Sequence, residues 1–537
     1  MMGTPPLEPE GPARERIVMG SETARRAEDL PEEFNAAADL LLGNVARHPD
    51  KVAVIDHRGA CTYAELLDRV QRMAAVFGRL GVSRDQRVLL SLLDTRDFPT
   101  VFLGAIWAGV IPIPLNTMLT TDDSKWLLNN SGAVAVFVTG DLAGKWGDIA
   151  ANEPHVQFVS SEGGPWTDLE ALIADAEPRC QPVRSHRDDV AFWLYTSGST
   201  GRPKGAMHLH GAMRLTANLY ARETAGFRAD DVMLSVAKQF FAYGLGCGLS
   251  FPYAMGMTTV LYRERATPEA ISRLLIDHEV TIMAGVPTFF AGWLAHEACP
   301  TREALPSLRL ATSAGEALPS HLGAAFSDRF GIDVLDGLGS TEMLHIFVSQ
   351  RPGGVRHGCT GKPVEGYAVR IVDEAGHPCA PGEIGNLQVC GPTSACGYWR
   401  NRRRSTNTFL GEWTVTGDNY AIDADGWLTY AGRADDMLKV GGIYVSPVEV
   451  EEILSGHPDV LEAAVVGDLD ADALVKPRAY VVLHSGVIGS EDLRDRLKLH
   501  VKAHLAPYKY PRWIEFLEEL PKTATGKIQR FRLREHA

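Results

Sequence analysis

Apolar residues recur along this chain in short runs and at helical spacing. Residues 52–55 form a β-branched run that predicts a strand, and Thr62 with Glu65 caps an amphipathic helix that continues towards Leu80. The unbroken apolar run at 88–93 indicates a strand buried on both faces. Comparable runs return at 134–137, 280–284 and 308–311. Strands that alternate with helices predict an α/β protein with mainly parallel sheets.

The pattern changes twice in the second half of the chain. Between 365 and 432, short alternating strands separated by Gly, Pro and Asp predict a β-rich subdomain. Beyond Arg433, strands at 463–466 and 479–482 and a charged helix at 491–504 predict a small α+β domain. We therefore expect a large N-terminal domain over 31–434 and a C-terminal domain over 435–537. Residues 1–30 are rich in proline and charge, and we expect a flexible tail there.

The longest apolar stretch, residues 101–113, contains Gly104, Gly109 and Pro112. It is too short to cross a bilayer and predicts a buried helix. The N-terminus has no apolar signal core, so we expect no export.

Composition narrows the range of partners. The 537 residues carry a formal charge of −14, which argues against nucleic acid and against an anionic membrane surface. The eight cysteines form no CxxC pair and no zinc-site spacing, so we expect reduced thiols in a cytoplasmic protein.

The segment 196–205 carries the strongest chemical signal. Its glycines permit close backbone approach to a ligand, and its hydroxyls and Lys204 suit phosphate oxygens. It is not a Walker A loop, and the alternative is a polar surface loop, against which the ten-residue order argues. The candidate phosphate-binding residues are Thr196, Ser197, Gly198, Ser199, Thr200, Gly201 and Lys204.

This segment resembles the signature of the adenylate-forming superfamily, which contains acyl-CoA synthetases, peptide synthetase adenylation domains and luciferases. Further motifs follow in the family's order at 336–342, 416–418, 432–436 and 521–527. The resemblance covers nearly the whole chain after the tail. It implies a large domain, a mobile C-terminal domain and an ATP-dependent reaction through an acyl-adenylate.

The resemblance also implies roles for ATP and its metal. Glu342 would bind Mg²⁺, which prefers oxygen ligands, and Thr341 would contact the α-phosphate. Asp418 would accept the ribose hydroxyls, with Arg433 near the ribose or phosphates. The segments that border adenine and the acyl group comprise Gly315, Glu316, Asp336, Gly337 and Leu338, where Leu338 offers an aliphatic contact to adenine.

Lys527 matches the lysine that stabilises the charge built up when a carboxylate attacks the α-phosphate. The alternative is one more lysine in a basic C-terminal stretch. For the second half-reaction, Asp435 matches the hinge, while Lys439, Gly441 and Gly442 would line a tunnel for the thiol of coenzyme A. The glycine pair could also be a simple turn.

The segments at 240–246 and 340–347 resemble the benzoate and 4-hydroxybenzoate ligases. The implied acid-binding residues are Phe241, Ala242, Tyr243, Gly244, Gly339 and His345. A buried histidine satisfied by the backbone is the alternative for His345. Cys247 stands where benzoate ligases commonly carry asparagine, which leaves the ring substituents open.

The leading hypothesis is therefore an aryl-carboxylate:CoA ligase for benzoate or a hydroxybenzoate. Loading of a carrier protein in trans is a second hypothesis, because no carrier segment is recognised after Lys527. A nucleotide-binding scaffold without activity is a third, and the intact motif set argues against it. A homodimer is compatible with the resemblance.

Overall fold

The structure is a computed structural model that describes residues 27–198, 201–434, 436–440, 443–470, 474–506, 508–522 and 528–534. The strands of these residues are β1 Val52–Asp56, β2 Gly59–Thr62, β3 Arg87–Ser91, β4 Ile111–Pro114, β5 Ala135–Thr139, β6 Gln157–Ser161, β7 Thr167–Asp168, β8 Val190–Gly198, β9 Gly201–Leu209, β10 Val232–Ser235, β11 Thr258–Val260, β12 Ile282–Gly285, β13 Leu310–Ala314, β14 Val334–Gly339, β15 Ile346–Ser349, β16 Lys362–Pro363, β17 Ala368–Val372, β18 Gly385–Cys390, β19 Phe409–Leu410, β20 Trp413–Ile422, β21 Leu428–Arg433, β22 Leu438–Val440, β23 Ile443–Val445, β24 Val460–Leu469, β25 Val475–Leu483 and β26 Trp513–Leu517.

The α-helices are α1 Ala36–Arg47, α2 Tyr63–Arg79, α3 Asp97–Ala108, α4 Thr121–Ser131, α5 Ala143–Asn152, α6 Leu169–Ala174, α7 His210–Thr216, α8 Ala242–Leu245, α9 Phe251–Met255, α10 Pro268–Asp277, α11 Pro287–Leu294, α12 Ser320–Phe330, α13 Arg402–Thr408, α14 Pro447–Ser455, α15 Glu491–His504 and α16 Arg530–Arg534. Two π-helical segments lie at Ala217–Arg222 and Gly246–Ser250.

A five-stranded parallel sheet, ordered β4-β3-β5-β6-β7, confirms the strand expected near 88–93. Successive residues of β3 point to opposite faces, and both faces are buried. Val88 and Leu90 pack into one hydrophobic cluster, while Leu89 packs into another. Burial on both faces explains why the run is continuously apolar.

A nine-stranded sheet, ordered β16-β15-β14-β13-β12-β10-β11-β1-β2, lies at the centre of the large domain. The strands from β14 to β1 in that order pair in parallel, and the antiparallel pairs occur at the two edges. The carboxyl ends of β10, β12, β13 and β14 therefore meet along one edge of the sheet. In parallel sheets, ligands bind at this edge.

The apolar stretch 101–113 contains the end of a helix and a strand rather than one helix. Gly109, with φ of 76°, ends α3 after Ala108, and the chain then enters β4. A left-handed conformation at this position suits glycine because it has no Cβ. In the described residues, no helix combines the length and apolar character needed to cross a membrane.

The described residues of the segment 196–205 belong to two antiparallel strands, β8 and β9, which pair through Thr196 and Lys204. A five-stranded antiparallel sheet, built from β17 to β21, matches the expected β-rich region. Farther along, β24, β25 and β26 form a three-stranded sheet packed against α14 and α15. The domain boundaries at 30 and 434 stay predictions, and the proposed tail lies outside the described residues up to residue 26.

Candidate active site

The carboxyl edge of the nine-stranded sheet brings three predicted segments together. The chain leaves β10 into the segment with Phe241 and Tyr243, leaves β13 at Gly315, and leaves β14 into the turn with Glu342. These segments are far apart in sequence. Their starting points lie along one edge because β10, β12, β13 and β14 pair in parallel.

Glu342 and Lys204 both contact the hydroxyl of one tyrosine. The Tyr398 hydroxyl donates a hydrogen bond to Glu342 Oε1 at 2.6 Å, and Lys204 Nζ donates to the same hydroxyl at 3.3 Å. Lys204 Nζ lies 3.9 Å from Glu342 Oε1 and 4.6 Å from the centroid of the Tyr398 ring. A cation and a carboxylate thus face the same partly buried space, where both can contact a nucleotide phosphate and its metal.

Backbone pairing fixes this arrangement. The Met207 amide donates to Gly397 O at 3.0 Å, and the Trp399 amide donates to Gly205 O at 2.8 Å, so the hairpin and Tyr398 share a short antiparallel ladder. The Ala395 amide donates to the main-chain oxygen of Glu342 at 2.7 Å. The same short segment therefore holds the strand of Lys204 and the turn of Glu342.

Burial lowers the pKa of Lys204, while Glu342 acts in the opposite direction. The positive charges of Arg404 and Arg433 lower it further. Arg404 and Arg433 therefore add positive potential at Lys204. An anion such as a polyphosphate would relieve their mutual repulsion.

Asp418 and Arg433 face each other across β20 and β21. Arg433 Nη1 donates to Asp418 Oδ1 at 2.9 Å, and Asp418 is buried. Burial raises the pKa of Tyr420 well above its usual value, and the charges of Asp418 and Asp336 both add to that effect. The Tyr420 hydroxyl lies 3.3 Å from Thr360 Oγ1, and Leu428 of β21 pairs with Gly361 just before β16, so the β-rich sheet contacts the edge of the central sheet.

The predicted acid-binding segments are connected by side chains. The Tyr243 hydroxyl and Thr312 Oγ1 lie 2.8 Å apart, and His345 Nε2 lies 3.2 Å from the main-chain oxygen of Tyr243. His345 is buried among Tyr220, Tyr243 and Phe251, with ring centroids between 4.4 and 5.6 Å away. Burial lowers the pKa of His345 to about 3, so the imidazole is neutral.

Glycines make room for these contacts. A Cβ on Gly246 would lie 2.2 Å from His345 Cδ2, and a Cβ on Gly244 would lie 2.0 Å from the main-chain oxygen of Lys238. A Cβ on Gly339 would lie 2.7 Å from the main-chain oxygen of His345. Close packing, rather than backbone flexibility, therefore requires glycine at Gly244 and Gly339.

Several buried polar atoms at this edge lack a hydrogen-bond partner within the described part of the chain. They are Ser313 Oγ, Asp336 Oδ1 and His345 Nδ1. Burial raises the pKa of Asp336 to about 8, opposed by backbone amides. Buried polar atoms without a partner also occur elsewhere in the described residues, for example Trp193 Nε1 and Tyr253 Oη, whereas at this edge a bound ligand could satisfy them.

The remaining predicted residues border the same edge. Gly315 adopts φ of 93°, and Thr288 Oγ1 donates to Glu316 Oε2 at 2.8 Å. Leu338 is partly buried against the main hydrophobic cluster, and Gly337 packs against Ile346.

The predicted acid-binding segment begins at the same edge. Phe241 and Ala242 lie at the start of α8 and are half-buried. Thr341 lies in the turn after β14, where its main-chain oxygen accepts a hydrogen bond from the Leu344 amide at 3.2 Å.

Part of the prediction lies beyond what the structure describes. Outside the described residues are Ser199, Thr200, Asp435, Gly441, Gly442 and Lys527. Only the backbone is described for Ser197, Gly198, Gly201 and Lys439. Their roles, like those of the other site residues, stay predictions.

The residues present fit magnesium that arrives with a nucleotide. Within the described segments, no three His, Cys, Asp or Glu side chains come together as a metal site. Magnesium bound with phosphates needs only one or two protein carboxylates. Glu342, with a side chain 15% exposed beside Lys204, can supply one.

The α/β fold and the pairing of Lys204 with Glu342 at this edge suit an enzyme that binds a nucleotide. Residues 42–399 match the AMP-binding enzyme family, and residues 449–527 match the AMP-binding enzyme C-terminal domain. The chain belongs to this family, which confirms the superfamily predicted from the motifs and its α/β fold class.

Individual relatives align over nearly the full chain. It is 50% identical to the benzoate–CoA ligase of Thauera aromatica, over 94% of this chain and 96% of that protein. A benzoate CoA ligase structure from Burkholderia xenovorans LB400 is 48% identical with a TM-score of 0.89, over 93% of this chain and 100% of that one. The structure of the anthranilate CoA ligase AuaEII in complex with anthranoyl-AMP is 39% identical with a TM-score of 0.91, over 95% of this chain and 98% of that one.

Tyr398 was missed by sequence reasoning. It lies in Gly397-Tyr398-Trp399, where an aromatic residue beside a glycine is unremarkable as a pattern. Only the pairing of residues 397–399 with β9 brings its hydroxyl to Glu342.

Proposed function

We propose that this protein is an ATP-dependent aryl-carboxylate:CoA ligase for benzoate or a hydroxybenzoate. The single observation that carries the proposal is that one turn, 340–345, holds both ends of the site. Glu342 in that turn faces Lys204, and His345 in the same turn contacts the acid-binding segment through Tyr243. The residue assigned to the metal and phosphates, Glu342, is thus three residues from His345, which contacts the segment assigned to the acid.

In the first half-reaction, a carboxylate oxygen attacks the α-phosphorus of ATP. The new bond is a mixed anhydride, and the bond to the β-phosphate oxygen breaks to release pyrophosphate. Lys204 neutralises phosphate charge, Thr341 contacts the α-phosphate, and Lys527 stabilises the charge built up in the transition state. Magnesium, held by Glu342 and phosphate oxygens, would neutralise charge on the phosphates.

In the second half-reaction, the thiol of coenzyme A attacks the acyl carbonyl of the adenylate. The carbon–sulfur bond forms, the bond to the phosphate oxygen breaks, and AMP leaves. We infer a rotation about Asp435 that replaces Lys527 by the segment around Lys439, with Gly441 and Gly442 beside the pantetheine arm.

Recognition of an aromatic acid is supported by the rings around His345. Tyr220, Tyr243 and Phe251 surround a neutral imidazole, and Tyr243 is held by Thr312. These rings pack against His345 itself, and an aromatic environment beside a binding segment suits a flat acid. The relatives with benzoate and anthranilate in their names support the same class of acid.

The test measures AMP release over a panel of aryl and alkyl acids, each with and without CoA. We expect turnover with benzoate or a hydroxybenzoate that depends on CoA. Turnover restricted to medium-chain fatty acids would overturn the aromatic assignment. Acid-dependent exchange of pyrophosphate into ATP, with no thioester formed from CoA, would favour a carrier protein in trans as acceptor. That acceptor and a homodimeric assembly stay predictions.

A further inference from the structure

We propose that Tyr398 is a positioning residue for Glu342, whose hydroxyl holds one carboxylate oxygen so that the other is presented to the magnesium of MgATP. The inference rests on the proposed function, because that function assigns Glu342 to the metal. Tyr398 itself contacts neither the acid nor the nucleotide in this assignment. It acts through the carboxylate to which it is hydrogen-bonded.

The hydrogen bond is directional. A lysine ammonium can only donate, so Lys204 Nζ, at 3.3 Å, donates to the phenol oxygen. The single phenol proton then points to Glu342 Oε1, 2.6 Å away. A hydrogen bond to an ionised acceptor is shorter and stronger than a neutral one. In the described segments, Oε2 of Glu342 receives no hydrogen bond, and it is the oxygen left for a metal.

The same hydroxyl contacts a second charged group. Lys204 Nζ lies 3.3 Å from the phenol oxygen and 3.9 Å from Glu342 Oε1, so the ammonium and the carboxylate are already within ion-pair distance. The short hydrogen bond from Tyr398 is therefore the contact that fixes the direction of the Glu342 carboxylate.

The tyrosine is rigidly placed. Its side chain is buried, its ring packs 5.3 Å from that of Phe409, and its amide donates to Ser405 Oγ at 2.9 Å. The Ala395 amide holds the main chain of Glu342 from the same segment. Both ends of the Tyr398–Glu342 hydrogen bond are therefore fixed before any ligand arrives, as expected of a group that orients a metal ligand.

The test is Tyr398→Phe, which removes the hydroxyl and keeps the ring. Binding of α,β-methylene-ATP is measured by calorimetry over a magnesium titration and again in EDTA. We expect the magnesium-dependent affinity to fall by about 10- to 100-fold, as when other partners of metal ligands are removed. Binding in EDTA and binding of AMP should change little. Equal weakening with and without magnesium would overturn the proposal.

Tyr63→Phe is the matched control. The Tyr63 hydroxyl is also buried and donates to the main-chain oxygen of Met257 at 2.7 Å, away from the proposed site. Removing it should leave the magnesium titration unchanged. A shift as large as that of Tyr398→Phe would show a general loss of stability and contradict a specific role.

A double-mutant cycle with Glu342→Gln separates the two residues. If Tyr398 acts through the carboxylate, Tyr398→Phe should have little further effect on magnesium-dependent binding in the Glu342→Gln background. Additive losses would overturn the proposal. Because these measurements use no acid, they remain valid even if the panel of acids disproves the aryl assignment.

Discussion

His345 Nε2 donates a hydrogen bond to the main-chain oxygen of Tyr243 at 3.2 Å. A carbonyl can only accept, so this contact fixes the tautomer and leaves Nδ1 without a proton. It also joins the segment after β10 to the turn after β14, two regions about a hundred residues apart. The alternative interpretation of His345, a buried histidine satisfied by the backbone, describes Nε2 but not Nδ1, which has no partner within the described residues. The bond from Nε2 itself holds the acid-binding segment in place.

The buried imidazole predicts an acid-sensitive fold. The pKa of His345 is about 3 in the folded protein, below the ordinary 6.5, so folding disfavours the charged form. Above pH 6.5 the burial of His345 costs no stability, because the imidazole is neutral in both states. As the pH falls from 6.5 towards 3, the free energy of unfolding decreases by at most about 1.4 kcal/mol per pH unit for this one histidine. We expect His345→Gln to flatten this fall in thermal unfolding measured between pH 7.5 and 4.

His208 and His210 are also buried with lowered pKa values, about 3 and about 4, so the flattening should be partial. The exposed His155 provides a control, and His155→Gln should leave the slope unchanged. An unchanged slope in His345→Gln would contradict the burial argument.

Gly246→Ala should impair binding of the acid. The added Cβ would lie 2.2 Å from His345 Cδ2, so the imidazole must move and its bond to Tyr243 must weaken. We expect KM for benzoate to rise about tenfold, as for the loss of one buried hydrogen bond of 1 to 1.5 kcal/mol. KM for ATP should change little.

Gly292→Ala is the matched control for this change, because it lies in α11 with open space around the added Cβ. We expect wild-type kinetics for it. A parallel rise of both KM values in Gly246→Ala would indicate general damage rather than displacement of His345.

Asp418→Ala should weaken recognition of the ribose. If the carboxylate accepts the ribose hydroxyls, it discriminates ATP from 2′,3′-dideoxy-ATP by about 1.5 to 3 kcal/mol. We expect kcat/KM for ATP to fall by about 10- to 100-fold, while the dideoxy analogue loses much less. Steady-state kinetics with both nucleotides measures the difference.

Asp423→Ala serves as its control, since it removes a carboxylate that is paired with Arg356 at 2.8 Å, just after the end of β20. It should not change discrimination between the two nucleotides. Equal losses on ATP and the dideoxy analogue in Asp418→Ala would assign Asp418 to holding Arg433 instead.

Lys527→Ala should separate the two half-reactions. Adenylate formation should be lost, because the cation that stabilises the transition state is gone. Thioester formation from supplied benzoyl-adenylate and CoA should remain measurable. Lys522→Ala is the neighbouring control, since Lys522 pairs with Glu462 at 2.6 Å within the C-terminal domain. Equal loss of both half-reactions in Lys527→Ala would contradict its role.

The sequence alone determined the family. Short motifs such as 196–205 and 336–342 are local patterns, and their order is recognisable without knowledge of any contact. Periodicity likewise predicted β3 and the capped helix α2, because burial on one or both faces leaves a direct trace in residue order.

Tertiary structure decided which side chains meet. Nothing local shows that Tyr398 contacts both Lys204 and Glu342, since that placement depends on pairing between β9 and residues 397–399. The same holds for His345 and Tyr243, which meet because parallel strands bring their carboxyl ends to one edge. Residue order records what each segment buries, whereas partners across the sheet are set by strand pairing over long distances in the chain.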